Sequence, residues 1–182
     1  MSKLSQAIAE GDGISFVVEV SDAPSARSAE KQGADALAAL TNANAVRVSS
    51  ALPFLHLGRM FDAQGSAADA VVIKPDLAMW DEAHAFGLEC VVRVWESADL
   101  ERSLRYFDPE IFLLTVPQDA DDDPLTILLA LLHDVPAGKL AIAELHDATP
   151  DDVSELERSG VDAVLVSPAS LETLIQAGPP DV

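Results

Sequence analysis

Four short apolar runs in this chain each end in a charged residue: Phe16-Val-Val-Glu19, Asp69-Ala-Val-Val-Ile-Lys74, Cys90-Val-Val-Arg93 and Leu140-Ala-Ile-Ala-Glu144. A charge at the carboxyl end of a buried parallel strand is where α/β proteins put ligand chemistry. Glu19 and Glu144 are suited to acid/base work, with Lys74 as a further catalytic candidate. Lys74 and Arg93 together are suited to clamping an anion, Arg93 by a planar two-pronged contact. The same four side chains have a second use. Two acids and two bases at one rim neutralise one another as buried ion pairs, because a buried charge has to be paired. Trp95 follows Arg93 by two residues, faces the same way on a strand and fills space that a substrate would need.

The elements that must position these residues alternate along the chain. Strands are expected near Ile14–Val20, Asp35–Leu40, Pro53–Leu57, Asp69–Lys74, Leu88–Trp95, Ile111–Val116, Leu140–Leu145 and Asp162–Ser167. Most are continuous apolar runs, the pattern of a parallel sheet covered on both faces. Helix signals fall between them. Ser97 and Thr149 read as N-caps, and Thr149 is followed by Pro150 and two acids. A related Asp-Ala unit recurs at three strand starts, in Gly33-Ala-Asp-Ala-Leu, Ala68-Asp-Ala-Val-Val and Val161-Asp-Ala-Val-Leu.

Eight such units predict a compact (β/α)8 TIM barrel, with an open doubly wound sheet as the alternative. The chain has 182 residues, against about 250 for a typical barrel. The economy falls after strands 2 and 3, where about ten residues remain for each crossover, near the minimum. The barrel wall is therefore expected to be thin near residues 41–68, which invites a homodimer contact. The domain reading is residues 1–13 as an amino-terminal remnant, 14–178 as one barrel and 179–182 as a frayed tail.

Composition narrows the partners. The net charge is −20 with only four lysines, which argues against nucleic acid and anionic membranes. A solvated acidic surface or adaptation to high salt accounts for the acidity. No apolar run is long enough to span a bilayer, and no secretion signal is legible, so the expected location is the cytoplasm. Cys90, the single cysteine, reads as a buried inert thiol. No cofactor motif or metal-ligand spacing is present, and Asp119–Asp123 reads as a solvated loop.

The chain resembles indole-3-glycerol phosphate synthase, a ribulose-phosphate-binding barrel of tryptophan biosynthesis. The likeness is carried by Val18-Glu-Val-Ser with Pro24-Ser25, by Cys90-Val-Val-Arg-Val-Trp-Glu-Ser with Asp99-Leu-Glu-Arg, by Ala143-Glu-Leu-His-Asp-Ala-Thr-Pro-Asp-Asp-Val, and by Gly160-Val-Asp-Ala-Val-Leu-Val. It implies a carbon–carbon lyase-like reaction, decarboxylation with ring closure, in which Glu19 and Glu144 match two acids of the family. The departures are as informative. Ser21 stands for a lysine on the first strand, Phe54-Leu-His-Leu57 lacks the lysine of the third, and Arg93 stands for a glutamate on the fifth. Leu145-His146 replace Ser-Gly on the seventh, and Ser167-Pro168 replace a glycine-containing phosphate loop on the eighth.

Two functional expectations follow. The favoured one is a barrel that has lost synthase activity and is non-catalytic or binds a metabolite or partner. The other is an altered lyase or isomerase acting on a small phosphorylated or carboxylated metabolite, with Glu19, Lys74 and Glu144 catalytic and Arg93, His56, His146 and Ser167 holding the substrate. An open pocket with free Lys74 and Arg93 favours the second, and mutual pairing favours the first.

Overall fold

The computed structural model describes residues 3–10, 13–117 and 119–177, the side chain of Phe61 excepted. Met1, Ser2, Gly11 and Asp12 of the expected amino-terminal remnant, and the tail from Gly178, lie outside them. Eight parallel strands close into a ring in chain order, β1 through β8, with β8 pairing back to β1. They are β1 (Ser15–Glu19), β2 (Ala36–Ala39), β3 (Phe54–His56), β4 (Ala70–Ile73), β5 (Glu89–Val94), β6 (Ile111–Leu114), β7 (Leu140–Glu144) and β8 (Ala163–Val166). The open-sheet alternative is thereby set aside.

Strand alternation divides the core in two. Outward residues such as Val18, Leu37, Phe54, Val92, Phe112 and Val164 pack beneath the helices. Inward residues Val17, Ala36, Leu55, Ala70, Val91, Ile111, Ile142 and Ala163 fill the ring. The inward alanines suit an interior that has no room for larger side chains from every strand. Helix α1 (Lys3–Ala9) closes the amino-terminal end of the ring, with Leu4 and Ile8 buried against the inward set.

The recurring Asp-Ala unit acquires a physical role. The Asp35 carboxylate accepts the Phe16 N–H at 2.8 Å, Asp69 accepts that of Phe54 at 3.0 Å, and Asp162 accepts that of Ala141 at 2.7 Å. Each aspartate thus satisfies an N–H at the start of the preceding strand, that of the first residue of β3 and of the second residue of β1 and β7. Asp69 also receives Arg47 and Lys3, each at 3.0 Å.

The crossovers are short where expected. Helix α2 (Ala23–Gln32) is ten residues long, whereas α3 (Ala43–Ser49) has seven and α4 (Met60–Gly65) six. The later helices are α5 (Leu77–Ala85), α6 (Ser97–Tyr106), α7 (Pro124–His133), α8 (Pro150–Ser159) and α9 (Pro168–Ala177). Thr149 caps α8 in a reciprocal box with Asp152, and Gly160 ends it at φ 92. Ser97 does not cap α6. Glu96 holds the N-cap position, and the Ser97 hydroxyl donates to Asp134 at 2.6 Å. Ser97 is the first residue inside the helix, one position past the place from which a side-chain oxygen accepts the first-turn N–H groups. Among the described residues no helix is long and apolar enough to cross a membrane.

Candidate functional site

The same alternation that fills the ring sets the residues at its carboxyl-terminal mouth. Extending the inward series by one pleat reaches Glu19 on β1, Lys74 after β4, Arg93 on β5, Thr115 after β6, Glu144 on β7 and Ser167 after β8. The inward series on β2 and β3 leads to Leu40 and Leu57. The mouth is therefore apolar on one side and charged on the other.

The charged side is internally bonded. Arg93 lies 3.4 Å from Glu144, with side chains 27% and 14% exposed, and the Thr115 hydroxyl donates to the same carboxylate at 2.8 Å. His146, in the loop after β7, sits 2.6 Å from Glu19 and 4.0 Å from Glu144. Arg93 is held on the β7 side, and its Nε is buried with no partner. Lys74 makes no ion pair among the described residues; its ammonium lies 5.8 Å from the centre of the Trp95 ring. The sequence expectation of mutual pairing is met for Arg93 with Glu144. Glu19 takes His146 as its partner, not Lys74 or Arg93.

The hydrogen bond to Glu19 raises the pKa of His146 above its ordinary 6.5, against the opposing effect of burial. The same bond lowers Glu19 below its ordinary 4.5, again with burial opposing. The raised histidine contributes stability below about pH 6.5 that is lost as pH rises through its folded value. The depressed glutamate contributes stability above about pH 4.5 that is lost as pH falls through its own. The contact is therefore strongest between those limits. Thermal unfolding is expected to show a drop in Tm between pH 6 and pH 8 that is smaller in His146→Gln; an equal drop in both proteins contradicts this assignment.

A cavity of about 590 Å³ opens beside these residues, lined by Arg93 and His146 against four carboxylates: Asp123, Glu144, Asp147 and Asp152. Four of the helix ends around the mouth, the usual anion sites of such barrels, are closed by the chain's own side chains. Asp22 caps α2, Asp76 caps α5, Asp123 caps α7, and Thr149 with Asp152 caps α8. Ser167 lies inside the mouth and accepts the Ser170 N–H at 3.2 Å, while the Ser170 hydroxyl donates to the His146 carbonyl at 2.7 Å. Prolines 24, 124 and 150 further remove backbone donors from the first turns of α2, α7 and α8.

His56 stands apart from the other sequence-selected residues. It shares the outward face of β3 with Phe54, whose ring it meets edge-on at 6.4 Å, and is 1% exposed. It does not reach the mouth. Thr115 was not singled out in the sequence; Ile111-Phe-Leu-Leu114 reads as uniformly apolar, and only the strand period places the next hydroxyl inward. Cys90 is buried, and burial pushes its thiol up to about 12, so no thiolate is available at neutral pH. Asp119–Asp123 is exposed, with Asp123 engaged as a cap. No group of three His, Cys, Asp or Glu side chains among the described residues is arranged to hold a metal.

The fold and mouth define a (β/α)8 barrel with its polar groups at the carboxyl ends of the strands. Solved structures with this fold include a thiamine phosphate pyrophosphorylase from Pyrococcus furiosus, with a TM-score of 0.71, 18% identity and coverage of 90% of this chain and 91% of that one. Another is an N-acetylmannosamine-6-phosphate 2-epimerase from Clostridium perfringens, with a TM-score of 0.71, 14% identity and coverage of 90% of each chain.

In sequence, the chain is similar to the indole-3-glycerol phosphate synthases. It is 30% identical to that of Variovorax paradoxus over 91% of this chain and 65% of the relative, and 28% identical to that of a Geobacillus species over 78% and 64%. It thus spans less than two thirds of those relatives. No family model matches the chain.

Proposed function

We propose that this chain is a synthase-related barrel that does not carry out the synthase reaction, and that its mouth is a binding pocket with a neutralised charge set. The observation that carries this reading is the fate of the two acids that match the synthases. Glu144 is occupied by Arg93 and Thr115, and Glu19 by His146. An acid already committed to a permanent cation is a poor proton donor, because the cation favours the ionised form. The third-strand segment in which the resemblance expects a lysine, Phe54-Leu-His-Leu57, has none. The self-capped helix ends and four carboxylates of the cavity also disfavour a phosphorylated ligand.

A second reading has one observation in its favour. Lys74 is exposed and has no carboxylate partner among the described residues, so it remains open to a small anionic metabolite. Two assays separate the readings. Incubation with the anthranilate-derived phosphorylated substrate of the synthases is expected to give no indole product above the protein-free rate. Melting in added inorganic phosphate is expected to match melting in an equal ionic strength of chloride. Product formation abolished by Glu144→Gln overturns the first reading; a phosphate-specific rise in Tm that is lost in Lys74→Met supports the second.

A further inference from the structure

We propose that the outer wall of the barrel between α3 and α4 holds a second binding site, for a small primary amine, with His56 at its floor and Asp62 at its edge. The first observation is the oddity of His56 in its layer. Its outward neighbours on β2, β3 and β4 are Leu37, Ala39, Phe54, Val71 and Ile73, all apolar and buried. His56 is as buried as they are, yet neither ring nitrogen makes a hydrogen bond. The main chain at Ala39 and Arg59 lies near enough to favour the protonated ring somewhat, but outside hydrogen-bonding geometry, and burial prevails to lower the pKa. A buried polar group without a partner is destabilising relative to an apolar residue of similar shape. The wall therefore does not need an imidazole, whereas a ligand that donates a hydrogen bond does.

The second observation is the space beside it. A cavity of about 610 Å³ is lined by the β2–α3 connection from Leu40 to Asn42, by the first turn of α3 from Ala43 to Ala45, by His56, and by Asp62 and Gly65 of α4. It exists because α3 and α4, at seven and six residues, are too short to cover the strands beneath them. The volume suits a small molecule. The lining also selects the charge. Thr41 and Asn44 offer hydrogen bonds, Asp62 makes no ion pair among the described residues, and no lysine or arginine lines the cavity. A neutral imidazole with a lone pair beside an uncompensated carboxylate recognises an ammonium group and repels an anion.

The ring is held on one side by Phe54 and on another by the main chain at Gly58, where an added Cβ would lie 3.0 Å from Nε2. Both nitrogens are buried in the free protein, so binding requires the ring to turn until one of them meets the amine.

The test is titration of the ¹⁵N-labelled full chain, at fixed pH and ionic strength, with ethanolamine and separately with sodium phosphate. Ethanolamine is expected to shift the amides of residues 41–45 and the His56 ring nitrogens along one saturable curve, while phosphate leaves them in place. His56→Phe is expected to abolish the amide response and to melt no lower than the parent protein. Asp62→Asn, at an exposed position that does not endanger folding, is expected to weaken the response about tenfold. Amides unmoved by ethanolamine to about 100 mM, well beyond a millimolar affinity, would overturn the proposal. So would a response that survives in His56→Phe, or one centred on Thr115 and Asp147 at the mouth.

Discussion

Replacing Asp69 with alanine is expected to lower the unfolding free energy by about 3 kcal/mol. For a domain of this size that corresponds to a fall in Tm of about 6–12 °C. Three partners converge on this carboxylate: the first N–H of β3 at 3.0 Å, and the Arg47 and Lys3 side chains, each also at 3.0 Å. Arg47 is 21% exposed, so its loss of a partner leaves a charge largely removed from water. Lys3 is 73% exposed and adds little. Asp69→Asn keeps an acceptor for the Phe54 N–H and removes the charge, so about a third of the loss is expected. Asp35→Ala and Asp162→Ala each remove one backbone partner without orphaning a cation, so each is expected to cost less than Asp69→Ala. Chemical denaturation of the four variants checks the order, and equal effects at the three aspartates would contradict it.

Glu144→Gln is the second large effect, about 2 kcal/mol of destabilisation and a fall of about 4–8 °C in Tm. The amide retains a contact with Thr115 but leaves Arg93 without its anion in a mouth where Arg93 Nε already lacks a partner. The full cost of breaking a buried pair is larger, but Arg93 is 27% exposed and water recovers part of it. A carboxylate held in place for catalysis behaves in the opposite way: its removal relieves a strained or uncompensated charge, and stability stays the same or rises. The direction of the change therefore discriminates between a plugged mouth and a reaction site.

The sequence carried much of this architecture because buried parallel strands leave continuous apolar runs, and four of the crossover helices, α2, α5, α7 and α8, begin with side-chain caps. Glu19, Lys74, Arg93, Glu144 and Ser167 were legible as mouth residues for the same reason, since each lies an even number of residues from an inward strand position. The partner of Glu19 was not legible. His146 belongs to the loop after β7, and only ring closure through β8 brings it to β1. His56 misled because Phe54-Leu-His-Leu57 is apolar on both sides of the histidine, so alternation gives no sign of which face is inward. The Asp-Ala repeat was visible as a mark of strand starts. Its carboxylates bond across to the preceding strand, a contact set by register and not by local spacing.

The mouth's charge pairing is tested most directly by an unfolding double-mutant cycle on Arg93→Met, Glu144→Gln and the two together. A coupling of about 1 kcal/mol or more, with the double variant more stable than the sum of the single losses implies, is the predicted result. Additivity within about 0.3 kcal/mol, together with an unchanged or raised stability for Glu144→Gln alone, would contradict it and return the two side chains to the service of a substrate.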